Sequence, residues 1–386
     1  MTGHRNCKVG NPDAAATNAS ASVTVHALPK SEARPAHWVD DKHAVFQNPW
    51  PSFKMDMGPT KMLPMMYEAI TGSPSTAPAK TGITIRKPTW GLDAADGAPA
   101  KGVKATWLGH ACFFVELDNG AKILFDPVFS DRCSPSQWMG PKRFTAAPCA
   151  IEDIPTPDAI VISHNHYDHM DTHTITTLFK KSAVMPHIFA PLGNEGYFKS
   201  LGIPETHYHT LDWWQNAEVG LSDAAFTLTC TPAQHMAARG LLDRMHSLWS
   251  SWMVTFQRDD KPTHVYFAGD TGYRSVANEA EEATAPVCPA FKEIGERFGE
   301  VEFAMIPIGA YQPRWFMSPM HCAPQDSVRV FQDVRVKKAL GMHWGTWVLT
   351  VEEVLEPPKK LKEECAKLGI AEDRFTVCDI GETRVF

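Results

Sequence analysis

Several things are missing from this 386-residue chain. It has no run of about eighteen apolar residues, so nothing in it reads as a membrane-spanning helix. Its nine cysteines are scattered and include no Cys-x-x-Cys pair. That excludes a disulfide framework and points to free thiols in a reducing, intracellular setting. No signal-peptide-like apolar stretch stands near the N-terminus. Early Arg5 and Lys8 leave a mitochondrial address open, but Asp13 and the lack of an Arg-rich amphipathic face count against it. Long Lys/Arg blocks are also missing, and the formal net charge is −7. A nucleic-acid partner needs a basic footprint, so none is expected and a nuclease is disfavoured.

What is present is histidine and aspartate at strand ends. Residues 164–169 read His-Asn-His-Tyr-Asp-His, directly after the apolar run Ala159-Ile160-Val161-Ile162. A buried strand ends there and the chain turns, so His164, His166, Asp168 and His169 can converge on one point. Imidazole and carboxylate ligands suit zinc, and also iron or manganese. Three further pieces follow the same grammar. His235 comes after Phe226–Cys230, Asp270 after Val265–Ala268, and His343 after Lys338–Met342. Each is an apolar run, one polar ligand, then small or turn-forming residues. A single such histidine would read as a core or surface residue; four pieces in this order form a constellation. Asp126, in Leu-Phe-Asp-Pro, reads either as an outer partner that orients a ligand histidine or as a loop cap.

The chain is 44% hydrophobic, enough for one large core. Residues 1–45 lack periodicity and read as a disordered extension. Residues 46–102 read as a segment wrapping the domain. Within it, Met62, Leu63, Met65 and Met66 either dip into a bilayer surface or pack on the core. The catalytic domain spans 103–386. Lys104–Gly109, Cys112–Leu117 and Lys122–Phe125 read as short strands, with a hairpin turn at Asp118-Asn119-Gly120. Thr172–Lys181, Asp326–Lys338 and Glu352–Leu368 read as helices, the last interrupted at Pro357-Pro358.

The order of the ligand pieces resembles the metallo-β-lactamase superfamily, whose fold is a four-layer αβ/βα sandwich. Longer runs are similar to a narrower family, the N-acyl-phosphatidylethanolamine-hydrolysing phospholipases D. They include Asn-Pro-Trp-Pro at 48–51, Trp-Leu-Gly-His-Ala at 107–111 and Ser-Pro-Ser-Gln-Trp-Met-Gly-Pro-Lys-Arg-Phe at 134–144. Leu-Asp-Trp-Trp at 211–214, Phe-Ala-Gly-Asp-Thr-Gly-Tyr at 267–273, Ile-Pro-Ile-Gly-Ala-Tyr at 306–311, Pro-Arg-Trp-Phe-Met at 313–317 and His-Trp-Gly-Thr at 343–346 continue the match. Two departures stand out. Arg274 to Val287 intervene before a Cys-Pro-Ala-Phe segment that follows almost directly in animal members, which reads as a surface insertion. Met320 stands where animal members carry Gln.

The resemblance implies two zinc ions per chain. His164, His166 and His235 would hold one, Asp168, His169 and His343 the other, and Asp270 would bridge them. Asp168, Asp270 and His321 read as catalytic and Tyr167 and His321 as substrate contacts; His321 otherwise reads as a plain surface histidine. Trp213-Trp214 and Trp315-Phe316 either line an acyl-chain groove or are core packing. The implied reaction is hydrolysis of N-acyl-phosphatidylethanolamine to N-acylethanolamine and phosphatidic acid, by a peripheral membrane homodimer. The alternatives are another hydrolase of this fold, acting on a lactone or a soluble phosphodiester, and a non-catalytic lipid-binding member.

Overall fold

The computed structural model describes residues 21–28, 34–42, 44–55, 82–91, 101–240, 242–277 and 279–386. Among them, strands form two sheets. The eight-stranded sheet runs in the order β1 (Ser22–His26), β8 (Asn216–Gly220), β9 (Ala225–Thr231), β10 (Ser251–Arg258), β11 (Lys261–Phe267), β12 (Val301–Pro307), β13 (Val336–Met342) and β14 (Phe375–Thr376). It is antiparallel as far as β11 and parallel from β11 onward. The seven-stranded sheet begins with β15 (Thr383–Val385), β2 (Lys104–Trp107), β3 (Phe113–Glu116) and β4 (Lys122–Phe125), all antiparallel. β5 (Ala159–Val161), β6 (His187–Pro191) and β7 (Tyr208–Leu211) continue parallel to β4.

Side-chain alternation decides which face each residue joins. Phe113, Val115, Ile123, Phe125, Ala159 and Val161 point into the core between the sheets. Their neighbours Phe114, Leu124 and Ile160 point outward, onto Ile175 and Leu178 of α1 (Thr172–Lys181) and Phe198 of α2 (Glu195–Ser200). Phe125 and Phe267 meet across the sheets with ring centroids 4.7 Å apart. α3 (Ala290–Phe298), α4 (Pro324–Asp333) and α5 (Glu356–Lys367) cover the eight-stranded sheet. The result is an αβ/βα sandwich. β4, β5, β9, β11 and β13 all end on the same side, so their C-terminal loops meet there, the usual crevice of such sheets.

Three readings of the sequence need correction. Residues 22–26 are not irregular: Ser-Val-Thr-Val-His is β-branched and adds to the sheet edge beside β8. Nearby, His37 is buried against Asp212, with Nε2 to Oδ1 at 2.6 Å, and Phe46 enters the core. The helix from Pro324 stops at Asp333. Arg335 takes a left-handed φ of 61°, and Lys338 lies in β13. Val-Lys-Lys-Ala-Leu satisfies a strand as readily as a helix, and tertiary pairing decides it. Pro357 and Pro358 do not interrupt a helix but occupy its first turn, where proline's missing N–H costs nothing. Met62, Leu63, Met65 and Met66 lie outside the described residues.

The segment 274–287 is more than a surface insertion. Arg274 Nε donates to Asp326 Oδ1 at 2.8 Å, and Arg314 Nη2 donates to both Asp326 and Glu282 at 2.7 Å. Asp326 is fully buried, and a buried carboxylate needs such partners. Glu282 completes that network from within the insertion. Val276 N–H donates to Ser318 Oγ at 2.9 Å. The insertion is therefore stitched to the stretch that leads into His321.

Candidate metal centre

The candidate ligands sit just past strand ends on sharply turned chain. His343 has a φ of 64° and Asp126 a φ of 39°. Gly269, with a φ of 58°, precedes Asp270, and a Cβ there would lie 2.6 Å from Ser163 Cβ. Only glycine allows that approach between the two turns.

Asp270 is the hub. Its Oδ2 lies 3.0 Å from His343 Nε2 and 3.1 Å from His169 Nε2. The same oxygen is 3.9 Å from His235 Nε2 and 4.0 Å from His164 Nε2. Around His166 Nδ1, His164 Nε2 stands at 2.8 Å and His235 Nε2 at 3.4 Å. Asp168 Oδ2 is 3.5 Å from His169 Nε2 and 3.7 Å from His343 Nε2. Ligands bound at about 2.0–2.2 Å to one tetrahedral ion stand about 3.3–3.6 Å apart, close to these separations. His169 Nε2, His343 Nε2 and Asp270 Oδ1 are enclosed and make no hydrogen bond. Enclosed polar atoms without partners are rare unless an ion or water completes them. This donor set fits metal ions, and all seven expected ligand residues come together.

A second layer aims the imidazoles. Asp126 Oδ2 lies 2.7 Å from His169 Nδ1 and accepts from Ser163 Oγ at 2.6 Å; Ser163 Oγ is in turn 2.9 Å from His164 Nδ1. His235 Nδ1 donates to the Met320 carbonyl at 2.9 Å. These contacts leave the Nε2 atoms of His164, His169 and His235 for the site. Met320 acts through its backbone there, so its side-chain difference from animal members does not touch this bond.

Like residues are driven in opposite directions. Burial, reinforced by neighbouring imidazoles, pushes His164 well below the ordinary imidazole range, and burial does the same to His235. Burial also opposes charge on His169 and His343, but Asp270 and Asp168 outweigh it. His169 is held well above the ordinary range and His343 is raised to about 9. His321 stands at the mouth, with Nδ1 3.9 Å from Asp270 Oδ2, and burial pulls it down to about 4. Burial thus favours its neutral form.

Other expectations fare differently. Tyr167 has one face under the Arg239 guanidinium at 4.1 Å. Arg239 Nη1 also donates to the carbonyls of Asn165 and Met170, clamping the loop that carries Asp168 and His169. Trp213 is core packing: it is buried, stacks on Trp50 at 5.3 Å and donates to the Trp249 carbonyl. Trp214 lies under Arg297. Trp315 and Phe316 do line a cleft of about 190 Å³, with Lys54, Met55 and Val276. Sequence reasoning missed Ser163, Arg239 and His110. His110 Nε2 lies 3.0 Å from Asp168 Oδ2. Its one signal was a histidine after Gly109 at a strand end.

Residues 121–344 match the Beta-lactamase superfamily domain. A solved isothiocyanate hydrolase from Delia radicum gut bacteria shares the fold, with a TM-score of 0.53 at 20% identity over 73% of this chain and 99% of that one. The class is thus a metal-dependent hydrolase of the metallo-β-lactamase superfamily. A Caenorhabditis elegans protein, N-acyl-phosphatidylethanolamine-hydrolyzing phospholipase D 1, is 39% identical over 302 residues, covering 76% of this chain and 79% of the worm protein. A mitochondrial N-acyl-phosphatidylethanolamine-hydrolyzing phospholipase D of Saccharomyces cerevisiae is 34% identical over 331 residues, 78% of this chain and 66% of the yeast protein. The chain belongs to the N-acyl-phosphatidylethanolamine-hydrolysing phospholipase D family, whose members are metal-dependent phosphodiester hydrolases.

Proposed function

We propose that this protein is a zinc-dependent phospholipase D that hydrolyses N-acyl-phosphatidylethanolamine to N-acylethanolamine and phosphatidic acid. The observation that carries this reading is Asp270 Oδ2 facing histidines of both groups within 4.0 Å, the arrangement a shared bridging carboxylate needs. His164, His166 and His235 would hold one zinc and Asp168, His169 and His343 the other, with Asp270 common to both. Zinc bound there supplies a Lewis acid for phosphoryl oxygens and lowers the pKa of water toward neutrality.

The chain's own residues do the rest. Asp168 and Asp270 contribute two negative charges that offset the cations. Asp126 fixes the ring of His169. His321, whose neutral form burial favours, would present an N–H to a phosphoryl or leaving oxygen and orient the substrate.

The substrate lives in a bilayer, and the rim of the site suits one. Trp138 and Met139 are 91% and 74% exposed at a loop tip between Arg132 and Lys142. Gln137 pins that tip by exchanging hydrogen bonds with the Arg132 backbone. An indole beside cations is what membrane interfaces favour. Among the described residues no helix is long and apolar enough to cross a membrane, so we propose peripheral contact through this loop.

The test is product mass spectrometry in ¹⁸O-water. Label is expected in phosphatidic acid and absent from the N-acylethanolamine. Label in a released fatty acid would point to an acyl hydrolase and end this reading.

A further inference from the structure

We propose that His110 is a positioning residue for Asp168: its Nε2–H holds one carboxylate oxygen and thereby sets how tightly the Asp168 half of the site takes its metal. The inference rests on the metal reading above and assigns a role to a residue outside the seven-ligand set.

Asp168 is, with His166, one of the two partly exposed ligands, and it has a tether. Its side chain is 16% exposed, whereas those of His164, His169, His235, Asp270 and His343 are 0–1% exposed. The enclosed ligands are held by packing, and His164, His169 and His235 also by hydrogen bonds to their second ring nitrogens. Asp168 sits on the edge of its loop, and His110 Nε2 reaches its Oδ2 at 3.0 Å. One lone pair of that oxygen can take the His110 N–H. The other remains directed at His169 and His343, 3.5 and 3.7 Å away.

His110 is itself firmly placed. Its N–H donates to Thr346 Oγ1 at 2.7 Å, and its carbonyl accepts Trp107 Nε1–H at 2.8 Å and the His343 N–H at 2.9 Å. The last bond ties its backbone to another ligand. Its ring lies 4.0 Å from the His343 ring and meets Trp347 edge-on at 4.9 Å. The residue adopts a φ of 53°. A left-handed non-glycine residue costs energy, and such strain persists where surrounding contacts over-determine it.

Two substitutions separate this role from a structural one. Asparagine tolerates the left-handed backbone but is too short to reach Asp168. Glutamine reaches with an amide N–H and is a poor metal ligand. Zinc is titrated into chelator-stripped protein against a chromophoric chelator, and the melting temperature of each metal-free variant is recorded. Wild type should bind two ions. His110→Asn should weaken one of them about 10–100-fold and leave the other unchanged, as loss of an outer partner does elsewhere. His110→Gln should recover most of that loss, with metal-free melting temperatures alike. Adding H110N to Asp168→Asn should weaken binding no further. H110N binding both ions like wild type would overturn the proposal, as would H110Q failing as badly as H110N. Wild type binding no zinc would instead sink the metal reading itself.

Discussion

Asp270 and Trp138 lie in loops at the same end of the sandwich, yet one is 2% and the other 91% exposed. The centre is over-determined: imidazoles, carboxylates, Ser163 and Asp126 hold one another in fixed poses. The rim is a short loop whose polar atoms are spent on pinning its own backbone, leaving an indole and a thioether in water. The two are physically joined. Arg143, at the loop's base, lies 4.8 Å over Trp347, whose ring meets His110. The division teaches that chemistry and access are built separately. Substitutions at the centre should lower turnover of every substrate and spare membrane binding; substitutions at the rim should weaken membrane binding and lower turnover of bilayer substrate alone.

The largest effect belongs to Asp270→Asn. It removes the charge common to both halves, so bound zinc should fall below two per chain by elemental analysis. Turnover should drop by more than the roughly 100-fold typical of losing even an outer partner. Vesicle co-sedimentation should be unchanged. Full metal content with full activity would break the division at its centre.

Next comes Asp126→Asn. Its carboxyl is fully buried, and burial raises its pKa against the pull of His169. The amide keeps the shape but loses the charge facing His169 and the acceptor for Ser163. Metal affinity should fall about 10–100-fold, with activity following it. Ser163→Ala removes the hydroxyl facing His164 but leaves the Asp126 carboxylate on His169, so it should cost less. Equal losses from the two would show that the Asp126 carboxylate does not serve both histidines.

The centre was more legible in the sequence than its supports. A strand end followed by one ligand and a small residue is a local pattern, and His164, His235, Asp270 and His343 each display it. Asp126 could be suspected, because Asp-Pro after an apolar run is also local. His110 shows only a histidine after a strand end, with nothing to name its partner, and Arg239 shows no signal at all. Their partners lie 58 and 74 or fewer residues away, on the turn after another strand of the same sheet for His110 and across the two sheets for Arg239, and no local spacing announces such a contact. The same limit explains β13, where Val336–Met342 could follow either period until β12 paired with it. It also explains Ser22–His26, a run too short to declare a strand without a sheet edge to receive it.

A pH series probes the electrostatic side of the centre. The folded pKa of His343 is raised to about 9, above the roughly 6.5 of an unfolded histidine. Its proton therefore stabilises the metal-free protein fully below about pH 6.5, and that stabilisation is lost as pH rises through 9. Asp168 and Asp270 are held well below the carboxylate range, so their contribution is present above about pH 4 and lost only in strong acid. Metal takes the place of protons on the histidines. The melting-temperature gap between zinc-loaded and metal-free protein should widen from pH 6.5 to 9. A flat gap would mean that His343 does not share the carboxylates' field.

The smallest effect on chemistry belongs to the rim. Trp138→Ser with Met139→Ser removes two large apolar side chains that touch little in the folded protein, so the melting temperature should hold. Full burial of such a side chain contributes about 1.5–3 kcal/mol, and an interface buries only part of it. Vesicle affinity and turnover of bilayer substrate should therefore fall about tenfold. Turnover of a short-chain, water-soluble analogue should be unchanged, because no ligand or orienting residue lies in the tip. The formal charge of −7 opposes general attraction to anionic lipid, so binding should survive high salt, with Arg132 and Lys142 adding a minor screened part. If soluble and bilayer substrates lose activity together, the loop shapes the active site and the separation of centre from rim fails. If neither loses activity, the membrane is met elsewhere, and the centre stands without this rim.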